Sequence, residues 1–372
     1  MVQKENRLTE PKLTVVVPIF NRSGEVDRLI ANLLSQDIAD AEFLLLDDGS
    51  TDDTAQRIKH RLHDDSRLKL ITKQNTGTGD TRNVGIREAK GEWLFFLDSD
   101  DAIPSPKTLS RLVNIAEAEH VQIAGGSIQF VKRGQILSPI TGWPRPETHV
   151  PETLINAIGD LTREPFECFF MDGVYSYADY QYDAGFSRFI YSKKLLIDND
   201  IRFPRMTFYE DPLFFVRAMD AASCFAAVTE PSYVYRLGSH IGRFDAEYCK
   251  ENLQGFRSNL QFSRRKKYPL LHKITYERFK KFDIVELALN HENYDDIAGL
   301  VEAAFDAFDP DFAGVNSASE LPASVAAINS FGTPEWDSGL ARLKRYSRLE
   351  SIKIKNRIKQ SSLFKGIENL KV

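Results

Sequence analysis

Between Leu13 and about Phe130, short runs of β-branched and aromatic residues alternate with amphipathic stretches, the pattern of strands and helices alternating around a mostly parallel sheet. The apolar runs predict strands at Leu13 to Val17, Glu42 to Leu46, Leu68 to Thr72 and Trp93 to Leu97. Helices are predicted between them, at about Glu25 to Ser35, Asp52 to Leu62 and Thr78 to Ala89, the first with Leu29, Leu33 and Leu34 at helical spacing. Past Phe130 the alternation weakens. Pro139 to Pro151 and Tyr175 to Phe189 are rich in Pro, Gly and aromatic residues and are expected to be long loops, with Trp143, Tyr175, Tyr177, Tyr180 and Tyr182 suited either to stacking on sugar faces or to core packing. From Glu247 onward the segments suit helices, interrupted by a looser stretch, Asp309 to Pro334, rich in Gly, Ser, Ala and Pro.

Charge refines this picture through its distribution. The 48 basic and 53 acidic residues give a net charge of −5, too weak a bias to predict a nucleic-acid partner. The last segment, 342–372, differs: ten Lys and Arg stand against Glu350 and Glu368, interleaved with Leu349, Ile352, Ile354, Ile358, Leu363, Phe364 and Ile367. That composition suits an amphipathic helix on an anionic membrane face, and equally a solvated helix or an oligomer contact. A hydrophobic content of 42% with 27% charged residues excludes collagen-like and wholly disordered classes. No apolar run approaches the roughly 20 residues that span a bilayer. The N-terminal residues do not read as a secretion signal, and three widely separated cysteines, Cys168, Cys224 and Cys249, support neither a disulfide framework nor a Cys-based zinc site. A reducing cytoplasm is the expected compartment, with the inner face of the cell membrane as the alternative if the basic tail binds lipid.

Ligands of parallel α/β sheets bind beyond the carboxyl ends of the strands, so the chemistry is sought in the residues just after each apolar run. After Trp93 to Leu97 comes Asp98-Ser99-Asp100-Asp101. Three carboxylates within four residues repel one another, and a divalent cation or sugar hydroxyls would neutralise them; a helix-capping turn is the plain alternative. After Glu42 to Leu46 comes Asp47-Asp48-Gly49-Ser50-Thr51-Asp52-Asp53, where Asp52 and Asp53 suit a helix start and the Asp47-Asp48 pair suits a nucleobase or ribose. Gly77 and Gly79 open a helix with Arg82 one turn in, a place for phosphate charge. As a dinucleotide fingerprint they fail, since they follow the third strand and the next glycine is Gly85. Glu210-Asp211-Pro212 alone suits a helix start with Asp211 as N-cap and Pro212 at N1.

Taken together, VVVPIFNRSG (15–24), FLLLDDGSTDDT (43–54), NTGTGDTRNVGIREAKGEWLFFLDSDD (75–101) and IRFPRMTFYEDPLFF (201–215) resemble the pattern of glycosyltransferase family 2, inverting nucleotide-sugar transferases of GT-A fold. The likeness covers roughly residues 13 to 240. It implies a GT-A domain over 1–245, with a nucleotide-sugar half at about 12–130 and an acceptor half at about 131–245, followed by a helical extension, 246–372. Carried over by position, it implies that Pro18, Phe20, Asn21, Asp47 and Asp48 border the nucleotide and that Arg82 lies near base or phosphate. Asp98 and Ser99 would contact the nucleotide sugar, Asp100 would ligate Mn²⁺ or Mg²⁺ on the diphosphate, and His240 would be a further metal contact. Asp211 would be the general base, with Glu210 beside it, and Tyr235 and Arg236 would lie near the acceptor; Trp143 joins them there only because its ring suits stacking on an acceptor sugar. Phe20 replaces the Tyr more often found before Asn21. The implied reaction moves a sugar from a nucleotide diphosphate, UDP by family habit, to a saccharide or lipid-linked saccharide in cell-surface polysaccharide synthesis.

Two rivals remain at this level. A nucleotidyltransferase should carry a Gly-rich basic loop after the first strand, where PIFNRSG supplies only Arg22. A non-catalytic saccharide-binding protein should have no need of Asp98, Asp100 and Asp211 together.

Overall fold

Seven consecutive buried residues, Leu13–Ile19, form strand β1, and the seven of Ala41–Asp47 form β2 beside it. Such unbroken burial requires cover on both faces of the sheet, and side chains along each strand alternate between two cores. Val15, Val17, Phe43 and Leu45 face a core that includes Leu29 and Leu33 of helix α1 (Val26–Leu34) and Leu109 and Leu112 of α4 (Thr108–Ala118). Val16, Leu44 and Leu46 face the other, with Phe214 and Phe215. The computed structural model describes residues 10–132, 135–137, 169, 171–236, 246–282 and 294–313.

β1 lies between β2 and β4 (Trp93–Phe96), parallel to both, and β2 pairs in parallel with β3 (Leu68–Thr72). Helices α2 (Thr54–Arg61) and α3 (Thr78–Glu88) connect these strands. Beyond β4 the sheet is mixed. Strand β8 (Phe189–Ser192) runs antiparallel to β4 and to β5 (Ile123–Lys132), whose far side pairs in parallel with β9 (Cys224–Arg236). Short strands β6 (Gln135–Leu137) and β7 (Gly173–Ser176) pair antiparallel with β5 and β9, completing a sheet of nine described strands in the order β3-β2-β1-β4-β8-β5-β9-β7 with β6 on β5. Strand order reverses at β1, and the β1–β4 ladder stops at Val16, two residues before Pro18, which has no N–H to continue it. The crevice that opens there is the switch point where such sheets bind ligands.

The segment Tyr175 to Phe189 departs from the loop expected of it. It holds the end of β7, a one-turn helix α5 (Tyr177–Tyr180) and a 3₁₀ turn at Phe186–Arg188, and Tyr177 and Tyr182 are buried. These tyrosines serve the core. After α6 (Lys193–Asp198) and α7 (Glu210–Ala222), the described C-terminal residues are helical: α8 (Ala246–Lys266), α9 (Pro269–Lys281), α10 (Tyr294–Asp306) and α11 (Pro310–Ala313), the last inside the stretch expected to be a linker.

The chain divides into two units. The first comprises the described residues of Met1–Arg243 with Phe262–Ile274, and contains the whole sheet. The second comprises those of Phe244–Gln261 and Thr275–Val372; in it Phe256 packs on Phe279 and Phe282, and Tyr276 stacks on Phe308. Among the described residues, no helix is long and apolar enough to cross a membrane.

Candidate active site

A cleft of about 670 Å³ lies at the carboxyl ends of β1, β2 and β4. Pro18 lines it from the end of β1, Phe20 and Arg22 from just beyond that strand, Asp48 from beyond β2, and Asp98, Ser99 and Asp100 from beyond β4. Arg82 of α3, Tyr209 to Asp211 at the start of α7, and Tyr235 near the end of β9 close it from other sides.

The three carboxylates after β4 point to three different partners. Asp98 accepts from Arg82 at 2.6 Å. Asp100, buried, meets Arg22 at 3.4 Å, while its carbonyl accepts from Arg28. Asp101 lies outside the cleft lining: it accepts from the Tyr233 hydroxyl at 2.6 Å and from the Arg236 N–H at 2.8 Å. Burial, with Asp98 nearby, pushes the Asp101 carboxyl up to about 7. Asp101 thus fastens the strand carrying Tyr235 to this loop, and a bridge between Ala102 and Val234 continues the attachment. Tyr235 lines the cleft, its hydroxyl raised to about 12 by burial and by Asp101, Asp98 and Asp100; Arg236 is not part of the lining.

Among the described residues no three His, Cys, Asp or Glu side chains form a metal cage. Magnesium and its relatives typically take one or two protein carboxylates and fill the remaining positions with water and substrate phosphate oxygens. Asp98 and Asp100, two hard oxygen donors on one wall of the cleft, fit that mode. His240, Trp143 and the basic segment 342–372 lie outside the described residues.

The first acidic turn behaves differently. Asp47 is buried, receives the Ser50 N–H at 3.2 Å and does not line the cleft. Asp48 lines it, yet its oxygens accept from the N–H groups of Thr76 and Gly77, each at 3.0 Å, and from Lys73. Asn21, with φ of 52°, accepts from Thr51 N–H at 2.8 Å and lies outside the lining. The structure therefore brings Pro18, Phe20, Asp48, Arg82, Asp98, Ser99, Asp100, Glu210, Asp211 and Tyr235 to one cleft, and leaves Asn21, Asp47 and Arg236 holding its walls.

Helix α3 joins the two sides. Gly77, at φ of 90°, caps it in a conformation other residues avoid. A Cβ on Gly79 would meet Pro204 O at 3.2 Å and Glu210 Cγ at 3.3 Å, so glycine permits the close approach. Arg82 is buried and donates to Asp98 and, at 3.0 Å, to Glu210; its guanidinium lies over Phe186 and Phe203. Burial pulls its pKa down, and the charges of Asp98 and Glu210 more than reverse this, so Arg82 stays protonated. Arg82 thus meets carboxylates where a base or phosphate contact was expected. Helix α7 opens at Glu210 behind Tyr209, which has φ of 64°, two residues earlier than an Asp211 N-cap would give. Glu210 is pushed up to about 7 by burial and by the adjacent Asp211 charge.

Sequence reasoning missed Arg22 and Tyr209 as cleft residues and Asp101 as the clamp on β9. The Arg in PIFNRSG was legible, but its approach to Asp100 depends on the fold of the turn between β1 and α1.

A doubly wound sheet with acidic turns facing a cleft at its switch point is an α/β fold with its ligand site in the usual place. Residues 14–173 match the family model described as Glycosyl transferase family 2. Over 134 residues it is 34% identical to the GalNAc(5)-diNAcBac-PP-undecaprenol beta-1,3-glucosyltransferase of Campylobacter jejuni, covering 36% of this chain and 43% of that one. Over 237 residues it is 28% identical to the poly(ribitol-phosphate) beta-N-acetylglucosaminyltransferase TarS of Staphylococcus aureus, covering 62% of this chain and 37% of that one. The chain thus spans less than half the length of these two relatives. The crystal structure of S. aureus TarS 1-349 in complex with UDP-GlcNAc superposes with a TM-score of 0.60 at 20% identity, covering 81% of this chain and 82% of that one, which fixes the fold.

Proposed function

We propose that the chain transfers a sugar from a nucleotide diphosphate, in the first instance UDP, to a hydroxyl of a saccharide or lipid-linked saccharide, with inversion at the anomeric carbon. The carrying observation is that Asp98 and Asp100 share one cleft with Asp211, which comes from a separate part of the chain. Its volume, about 670 Å³, suits a small-molecule ligand. The names of the relatives support the donor and acceptor classes: TarS crystallised with UDP-GlcNAc, and the Campylobacter enzyme is named for a polyprenyl-diphosphate-linked glycan.

In this reading Pro18, Phe20 and Asp48 bound the nucleoside end and Asp98 lies toward the ribose and diphosphate. Asp100, with Asp98, would hold Mn²⁺ or Mg²⁺, which when bound neutralises charge gathering on the leaving diphosphate. Asp211 takes the proton of the acceptor hydroxyl as that oxygen bonds to the anomeric carbon and the bond to the diphosphate breaks. One general base and no enzyme nucleophile give a single in-line displacement, hence inversion.

The test is a panel of UDP-, GDP-, CDP- and dTDP-sugars with Mn²⁺, Mg²⁺ or EDTA, reading melting temperature and donor consumption by the full chain. One base should raise the melting temperature in a metal-dependent way, because only the folded state binds it, and its sugar nucleotide should be consumed. Asp211→Asn should keep that shift and lose consumption by about 1,000-fold or more. No shift and no consumption with any donor rejects the reading; consumption retained in Asp211→Asn rejects the assigned base.

A further inference from the structure

We propose that Arg82 is a positioning residue that couples the Asp98 loop to the start of α7 and, through Glu210, holds Asp211 in register with the donor. This deepens the glycosyl-transfer reading and rests on it. Each terminal nitrogen of the buried guanidinium faces a carboxylate, Asp98 at 2.6 Å and Glu210 at 3.0 Å. Its Nε is buried without a partner, so these two carboxylates set its orientation. Phe186 and Phe203 lie 4.8 Å and 5.2 Å from it, and Phe203 stacks on Phe214 of α7 at 3.9 Å, which leaves the arginine little room to turn.

The rest of α3 is fastened to the same segment. Asn83 exchanges two hydrogen bonds with the backbone of Phe203, at 2.8 Å and 2.9 Å. Gly79 lets Pro204 O and Glu210 Cγ approach. Positions 79, 82 and 83 recur at the i, i+3, i+4 spacing that puts side chains on one helix face, so a single face of α3 grips residues 203–210. Glu210 and Asp211 are the first two residues of α7, and holding one fixes the backbone of the other.

The decisive experiment uses the full chain with Arg82→Lys, which keeps the charge and loses the planar fork, and Glu210→Gln, which keeps size and an acceptor oxygen. Amide hydrogen exchange without donor should rise in residues 97–101 and 207–214 of both variants and stay unchanged in 13–19. Donor turnover should fall about 100-fold in Arg82→Lys, the scale of a 1 Å misplacement, with donor KM within about 3-fold. The double variant should be no slower than Arg82→Lys alone, because the two residues act as one joint. Unchanged exchange at 207–214 in both variants overturns the proposal, as does a rise in KM at constant kcat, which would make Arg82 a direct donor contact. If Arg82→Lys does not fold, Glu210→Gln alone decides. If the wild-type chain consumes no donor, the glycosyl-transfer reading fails by itself, and the exchange result still judges the joint.

Discussion

The turns after β2 and β4 have the same form in sequence, an apolar strand ending in paired aspartates and a Ser, yet they do different work. After β2, Asp47 closes its own turn and Asp48 fastens the loop Thr76–Gly77 and Lys73, so both carboxylates carry structural bonds. After β4, Asp98 and Asp100 line the cleft against Arg82 and Arg22, and only Asp101 is given wholly to the fold. The difference lies in the neighbours. β2 ends beside β3, whose following residues bring backbone N–H groups to Asp48, whereas β8 runs antiparallel to β4 and the residues that lead into it, Gly185 to Ser187, line the cleft with Asp98 and Asp100. Paired acidic residues at a strand end therefore mark a place, and the adjacent strand's connection decides the use.

The contrast breaks most sharply at Asp48. Asp48→Ala should cost about 3 kcal/mol of stability in urea unfolding, because it strands two N–H groups and the Lys73 charge at a buried site. A loss under about 1 kcal/mol would leave Asp48 to the nucleoside pocket alone. Asp100→Ala should reverse the balance: stability changed by less than in Asp48→Ala, since the Arg22 side chain, 31% exposed, can turn to water, and metal-dependent donor affinity weakened about 50-fold by calorimetry, or about 2 kcal/mol. Unchanged affinity would leave that turn as structural as the first. The smallest effect concerns Glu210. Its folded pKa, about 7, lies above the ordinary carboxylate value, so the folded state holds the extra proton. That contribution is fully present below about pH 4.5 and is lost as pH rises through about 7. Relative to Glu210→Gln, the wild-type chain should lose on the order of 1 kcal/mol of stability between pH 5 and 8. Parallel pH profiles of the two proteins would show that Glu210 is ionised throughout beside Arg82.

The legibility of the chain follows the same division. The strands at Leu13, Glu42, Leu68 and Trp93 are placed to within two residues: β1, β2 and β4, buried throughout, leave continuous apolar runs bounded by polar turns, and the partly exposed edge strand β3 shows the alternation of a half-covered strand. The segment from Tyr175 to Phe189 is not, because its aromatic residues pack onto partners far along the chain: Tyr175 stacks on Phe225, and Tyr177 meets Tyr268. Pattern has no access to such pairs.

The sequence alone determined that an α/β sheet carries acidic turns, Asp98 and Asp100 among them, at its strand ends, a local property set by periodicity and turn chemistry. Four ordered blocks resemble family 2, and it is that resemblance which implies a role for Asp211. Only the tertiary structure decided which carboxylate meets a cleft and which meets a backbone amide, and that Arg82 stands between Asp98 and Glu210. A side chain's partner is set by what the fold brings within about 3 Å of it, and here those partners come from strands and helices distant in the chain.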